Sequence, residues 1–147
     1  SAGPVKRQAL LIPEVVELDE DAIARLVARR DQFELVASQL VIREASAGDP
    51  EAARERIEVL TAITLLEVTA EALTLAQELI TSGAVPEQAA EDALHIATAV
   101  TNGVEYLLTW NYRHLANAAM RTSIEDVCRS AGYEPVVICT PEELLEV

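Results

Sequence analysis

The run from Glu91 to Asn117, EDALHIATAVTNGVEYLLTWNYRHLAN, limits the folds open to this chain more than any other stretch. Ala93, Leu94, Ile96, Ala97, Ala99 and Val100 make a helix that is apolar nearly all round, and such a helix is buried on most faces. Asn102-Gly103 closes it. Tyr106 to Trp110 follows, apolar with little alternation, as in a strand covered on both sides within a parallel sheet. Asp92 stands in the first turn of the helix and Asn111 directly after the strand. In a parallel α/β sheet those two places lie close together, and ligands bind just outside the carboxyl ends of the strands. The competing reading makes Asp92 a helix cap and Asn111 a turn residue.

The rest of the chain alternates in the same manner. Leu10-Leu11-Ile12 reads as a strand, and Asp19 caps a helix to about Arg30 with Ile23, Leu26 and Val27 inward. Phe33 to Ala37 reads as a strand that breaks at Ser38, the N-cap of a helix carrying Glu44. Gly48-Asp49-Pro50 is a stop-turn-start signal before an Arg/Glu-laced helix from Glu51 to Leu60. Ile63 to Val68 is β-rich, Thr69 opens a helix ending near Gly83, and Pro86-Glu87 starts the helix containing Asp92. A helix centred on Met120 to Arg129 ends at Gly132, Val136 to Cys139 is a last strand, and Thr140-Pro141-Glu142-Glu143 begins a final helix. This order predicts a three-layer α/β sandwich: a central, mostly parallel sheet of four or five strands with helices on both faces. At 147 residues, the expectation is a single domain over 1–147.

Three segments carry a family resemblance. DALHIATA (from Asp92) followed by YLLTWN (to Asn111) resembles the third and fourth motifs of PIN-domain proteins, the fold of many toxin-type and RNA-processing nucleases. There an Asp opens an Ala-rich helix, and the next strand ends in Thr-x-Asp or Thr-x-Asn. SQLVIREASAG, from Ser38 to Gly48, resembles the second motif, with its strand-end Ser, its buried-helix Glu44 and a Gly four residues later. More narrowly, LLTWN, HLAN and CTPEELL resemble a bacterial PIN subgroup with Asn in place of the fourth acid. The resemblance covers roughly residues 31 to 147. It implies a PIN-like fold, ribonuclease activity, RNA as substrate, an antitoxin or other protein partner, and a homo-oligomer.

Metal-assisted cleavage of a phosphodiester needs carboxylates that converge where strands end, because their charge holds the cation. Such acids repel one another without it, so they suit a structural core poorly. Glu44 and Asp92 are the candidate metal ligands, and an unpaired Asp on so apolar a helix is expensive unless it is used. Asn111 is the candidate that orients water or phosphate. A neutral amide adds no charge, which predicts weak metal affinity. His95 shares the helical face of Asp92, and with Ser38, His114 and Asn117 it makes the candidate substrate-binding set. His95 also reads as a core histidine, and His114 and Asn117 as a helix start. The first acid is the departure from the family pattern. Leu10-Leu11-Ile12-Pro13-Glu14 puts Pro where it would fall, leaving Glu14 as the candidate third ligand, with an exposed loop Glu as the competing reading. Some two dozen residues separate Glu14 from Ser38, room for one helix where PIN domains place two, so the segment of about 1–30 is expected to be atypical.

Composition narrows the cofactor and the compartment. Two histidines and the cysteines Cys128 and Cys139, which have no metal-ligand spacing, argue against zinc and for buried free thiols. Oxygen ligands abound, so the expected ion is Mg²⁺ or Mn²⁺. No apolar run approaches the ~20 residues of a membrane span, and ALLIPEVV is short and soon acidic, so a cytoplasmic protein with no signal peptide is expected. The net charge of −14 opposes nonspecific nucleic-acid binding, although arginines gather at Arg25, Arg29 and Arg30 and at Arg113, Arg121 and Arg129. Lys6 is the only lysine, which disfavours a receiver-type acidic pocket needing a late Lys. Two readings stay open: a metal-dependent endoribonuclease, and a catalytically degenerate PIN-like module that binds RNA or a protein through the same cleft.

Overall fold

The computed structural model describes residues 7–12, 24–26, 28–29, 31–40, 48–51, 54, 63–109 and 118–146. Five strands form one sheet: β1 (Arg7–Leu11), β2 (Phe33–Ser38), β3 (Thr64–Leu66), β4 (Tyr106–Leu108) and β5 (Val137–Cys139). The helices are labelled α1 (Ala70–Thr81), α2 (Ala90–Thr101), α3 (Ala118–Ser130) and α4 (Pro141–Leu145). The strand order is β3-β2-β1-β4-β5, and every pair is parallel. It is a three-layer α/β sandwich of the expected kind. From β1 the chain winds outward to β2 and β3, then crosses back past β1 to β4 and β5. Right-handed crossovers put connections that move in opposite directions on opposite faces of the sheet. The helical turn around Leu26, itself fully buried, belongs to the first winding, and α1, α2 and α3 to the second.

Burial follows position in the sheet. Residues 9–12 of the central strand and Leu107 and Leu108 of β4 have 0% exposure, whereas the edge strands leave Leu65 at 38% and Val137 at 52%. A strand covered on both faces has no polar side, and an edge strand has one partner fewer to exclude water. The expected Ile63–Val68 strand is accordingly only Thr64–Leu66. β1 begins three residues earlier than the apolar run suggests. Arg7 pairs in register with Phe33, and its guanidinium forks onto Glu105, with Nη2–Oε1 at 2.6 Å and Nε–Oε2 at 3.0 Å. The same guanidinium lies 4.9 Å from the centre of the Tyr106 ring, which meets Phe33 edge-on. Polar side chains thus finish the amino end of the sheet.

The helices follow local chemistry. Thr69 Oγ1 accepts from the Ala72 amide at 3.1 Å, and Ala72, Leu75, Ala76 and Leu79 bury the inner stripe of α1. The helix expected from Pro86 opens instead as a 3₁₀ turn, Glu87–Ala89, before α2 proper. Ala89 offers no side-chain cap, so the entry tightens, with the Ala89 amide donating to Pro86 at 2.9 Å. Within α2, Ala93 and residues 95–100 are buried, as its composition requires. Thr140 and Glu143 form a reciprocal capping box at the start of α4. Both cysteines are free and buried. Burial pushes the Cys128 thiol up to about 11 and, with Glu143 nearby, that of Cys139 to about 12. No helix among the described residues is long and apolar enough to cross a membrane.

Candidate active site at the carboxyl edge of the sheet

In a doubly wound sheet the strand order reverses at one place, and there the loops diverge to opposite faces and open a crevice. Here that place is the gap between β1 and β4. Continuing the pairing registers past Leu10↔Val36 and Leu11↔Leu108 sets Ile12, Ser38 and Thr109 in one row across β1, β2 and β4. All three are buried, at 0%, 0% and 1% exposure. Backbone bonds pin the row on both sides: the Gln39 amide donates to Leu66 at 2.9 Å and the Thr109 amide to Cys139 at 2.9 Å. In the sequence, Glu14, Glu44 and Asn111 follow these strand ends. These three, with His114 and Asn117, lie outside the described residues.

Ser38 has a definite job. Its Oγ accepts from the Leu40 amide at 3.2 Å, a local side-chain bond just past the carboxyl end of β2.

Asp92 reaches the same edge from the other layer. α2 touches both β2 and β4 and so straddles β1. Only residues 102–105 separate it from β4, so it runs back along the strand it feeds. From Thr101 to Asp92 is about 13 Å of helix, and from Tyr106 to Thr109 about 10 Å of strand. Asp92 thus stands over the carboxyl end of the sheet at the switch point. It is half-buried, while Glu91 beside it is exposed. Its carboxylate sits in the first turn of α2, where the helix dipole favours negative charge. One turn on, His95 is 1% exposed and lies beneath the surface.

Sequence reading passed over Thr109 as a site residue, treating it only as the first letter of Thr-x-Asn. At 1% exposure it lies on the row at the carboxyl end of the sheet, two residues before Asn111 in the chain. The signal was a hydroxyl residue ending an apolar strand.

Among the described residues, Cys128 and Cys139 are buried with raised thiol pKa values, and His95 is 1% exposed. Among the described residues no three His, Cys, Asp or Glu side chains gather to hold a metal ion.

Comparison with solved structures gives the fold a name. A chain from the structure of VapBC2 of Rickettsia felis bound to a DNA fragment from their promoter superposes with a TM-score of 0.60 at 12% identity, covering 90% of this chain and 98% of that one. PAE2754 of Pyrobaculum aerophilum superposes with a TM-score of 0.59 at 16% identity, covering 95% and 88%. This is the PIN-domain fold. No protein-family model and no curated protein matches the chain.

Proposed function

We propose that this chain is a PIN-like, metal-dependent ribonuclease that hydrolyses RNA phosphodiester bonds at the carboxyl edge of its sheet. One observation carries the reading: Asp92 is half-buried in the first turn of a largely buried helix that touches both β2 and β4, the neighbours of the central strand. Glu44 and Asp92 would hold Mg²⁺ or Mn²⁺, with Glu14 as the third acid. When bound, such an ion supplies an activated water and neutralises charge on the phosphoryl oxygens. Asn111 orients water or phosphate, and Ser38, His95, His114 and Asn117 border the substrate, with Ser38 and His95 acting from beneath. A protein partner of antitoxin type and a homo-oligomeric state belong to the same proposal, as does a place in the cytoplasm.

The net charge of −14 favours a second reading, a degenerate module that keeps the cleft without the chemistry. The test is incubation with single-stranded and structured RNA under Mg²⁺ and under Mn²⁺, with Glu44→Gln as the blank. With a neutral amide, Asn111, where a fourth acid would stand, the site binds Mg²⁺ weakly, so cleavage should be slow, faster with Mn²⁺, and lost in the blank. Cleavage at an equal rate in the blank sinks the mechanism. Cleavage by neither protein, with RNA binding retained, transfers the reading to the module.

A further inference from the structure

Away from the catalytic edge, α1 and the C-terminal end of α3 pack side by side and leave a groove between them. Two adjoining hollows of about 320 and 530 Å³ share Glu78 and Ala131, so the groove is continuous along α1. Its floor is apolar: Leu75 from α1, Val127 from α3, and Tyr133, whose amide is tied to Cys128 at 2.9 Å. Its banks carry Glu71, Glu78 and Asp126, all exposed, and no Lys, Arg or His among the described residues lines it. The ion pairs seen among the described residues, Arg7–Glu105 and Arg129–Glu125, leave these three carboxylates out. Leu73, the most exposed large apolar side chain among the described residues at 55%, is on the same helix.

We propose that this groove docks a cationic amphipathic segment of another protein. The charge selects the occupant. RNA brings phosphates toward three carboxylates, and a second copy of a chain of net charge −14 brings more of the same sign. A basic segment meets complementary charge on both banks while its apolar side chains cover the floor, as amphipathic helices do in grooves. Glu71 and Glu78 lie two turns apart on one face of α1, about 10 Å along its axis. The occupant therefore carries basic residues one heptad apart with leucine-type residues between them. Asp92, Ser38 and Thr109 are not among the residues lining the groove, and the inference stands whether or not the chain cleaves RNA.

The probe is a synthetic helical peptide about 18 residues long, with arginines spaced by seven and leucines between. Binding is read by fluorescence anisotropy at low and physiological salt. Three proteins are compared: wild type, the groove variant Glu71→Gln/Glu78→Gln/Asp126→Asn, and a control of equal net charge, Glu87→Gln/Glu142→Gln/Glu146→Gln. Circular dichroism and melting verify that each is folded. The expected result is binding to wild type and control within about twofold of each other, and about tenfold or more weaker binding to the groove variant and of a scrambled peptide. Equal weakening in both variants means net charge alone, and overturns the proposal. So does failure of wild type to bind the peptide, or concentration-dependent self-association abolished by the groove variant, which assigns the surface to a second copy.

Discussion

Replacing Asp92 with Asn separates a functional acid from a structural one, and its expected effect follows from where the residue sits. Asp92 is the third residue of α2, after an Ala89 that provides no cap. A first-turn carboxylate interacts with the helix dipole by about 0.3–1 kcal/mol, which the amide forgoes. Against this, Asn removes like-charge repulsion from the other acids of the site, comparable in size at a half-exposed position. The two nearly cancel, so the net change should stay within about 1 kcal/mol, or about 2–4 °C in melting temperature for a chain of this length. Ion binding gives the opposite picture. Mn²⁺ at ten times its dissociation constant should stabilise the wild type by about 1.4 kcal/mol, roughly 3–6 °C, and the variant not at all. Thermal scans with and without Mn²⁺, alongside RNA cleavage, read both effects, with cleavage falling about 10²-fold or more. A drop of about 10 °C without metal would make Asp92 a structural acid, and a Mn²⁺-induced rise retained in the variant would remove it from the metal site.

Leu107→Ala empties a fully buried position beside the central strand and should lower stability by about 2–5 kcal/mol in urea titration, whereas Leu65→Ala on the exposed edge should lose about 1 kcal/mol or less. Comparable losses would contradict the sheet order. The Arg7 guanidinium holds the Glu105 carboxyl below its ordinary value of 4.5, chiefly by hydrogen bonding. A lowered carboxylate pKa stabilises the fold above the unfolded value, and that contribution disappears as pH falls through the folded one. The stability gap between wild type and Glu105→Gln should therefore be present at about pH 7 and shrink progressively as the pH falls below the ordinary carboxylate range, and a gap that widens in acid reverses the assignment. Cys128 and Cys139, with thiols pushed up to about 11 and about 12, should ignore a thiol reagent at about pH 8 in the native protein and both react once it is denatured. Rapid native labelling of either would place it outside the core.

What the sequence determined by itself is local. Thr69 as a cap, the Thr140–Glu143 start, the glycine turn after Asn102 and the wholly apolar character of α2 are each decided within a few residues, by hydrogen-bonding side chains, backbone freedom and periodicity. Those signals sufficed for the α/β class, for burial of Tyr106–Leu108, and for Asp92 as a carboxylate of interest. Element ends were less legible. Arg7 at the start of β1 gives its guanidinium to a Glu 98 residues away, and β3 at the edge of the sheet covers only Thr64–Leu66. Tertiary structure alone decided the strand order, the reversal between β1 and β4, and the alignment of Ile12, Ser38 and Thr109 in one row. The groove between α1 and α3 is of the same kind, joining residues some fifty positions apart. The physical reason is common to all of these. Which strands become neighbours depends on how buried faces from distant segments pack and on the handedness of the crossovers, and neither quantity is carried by any short stretch of chain.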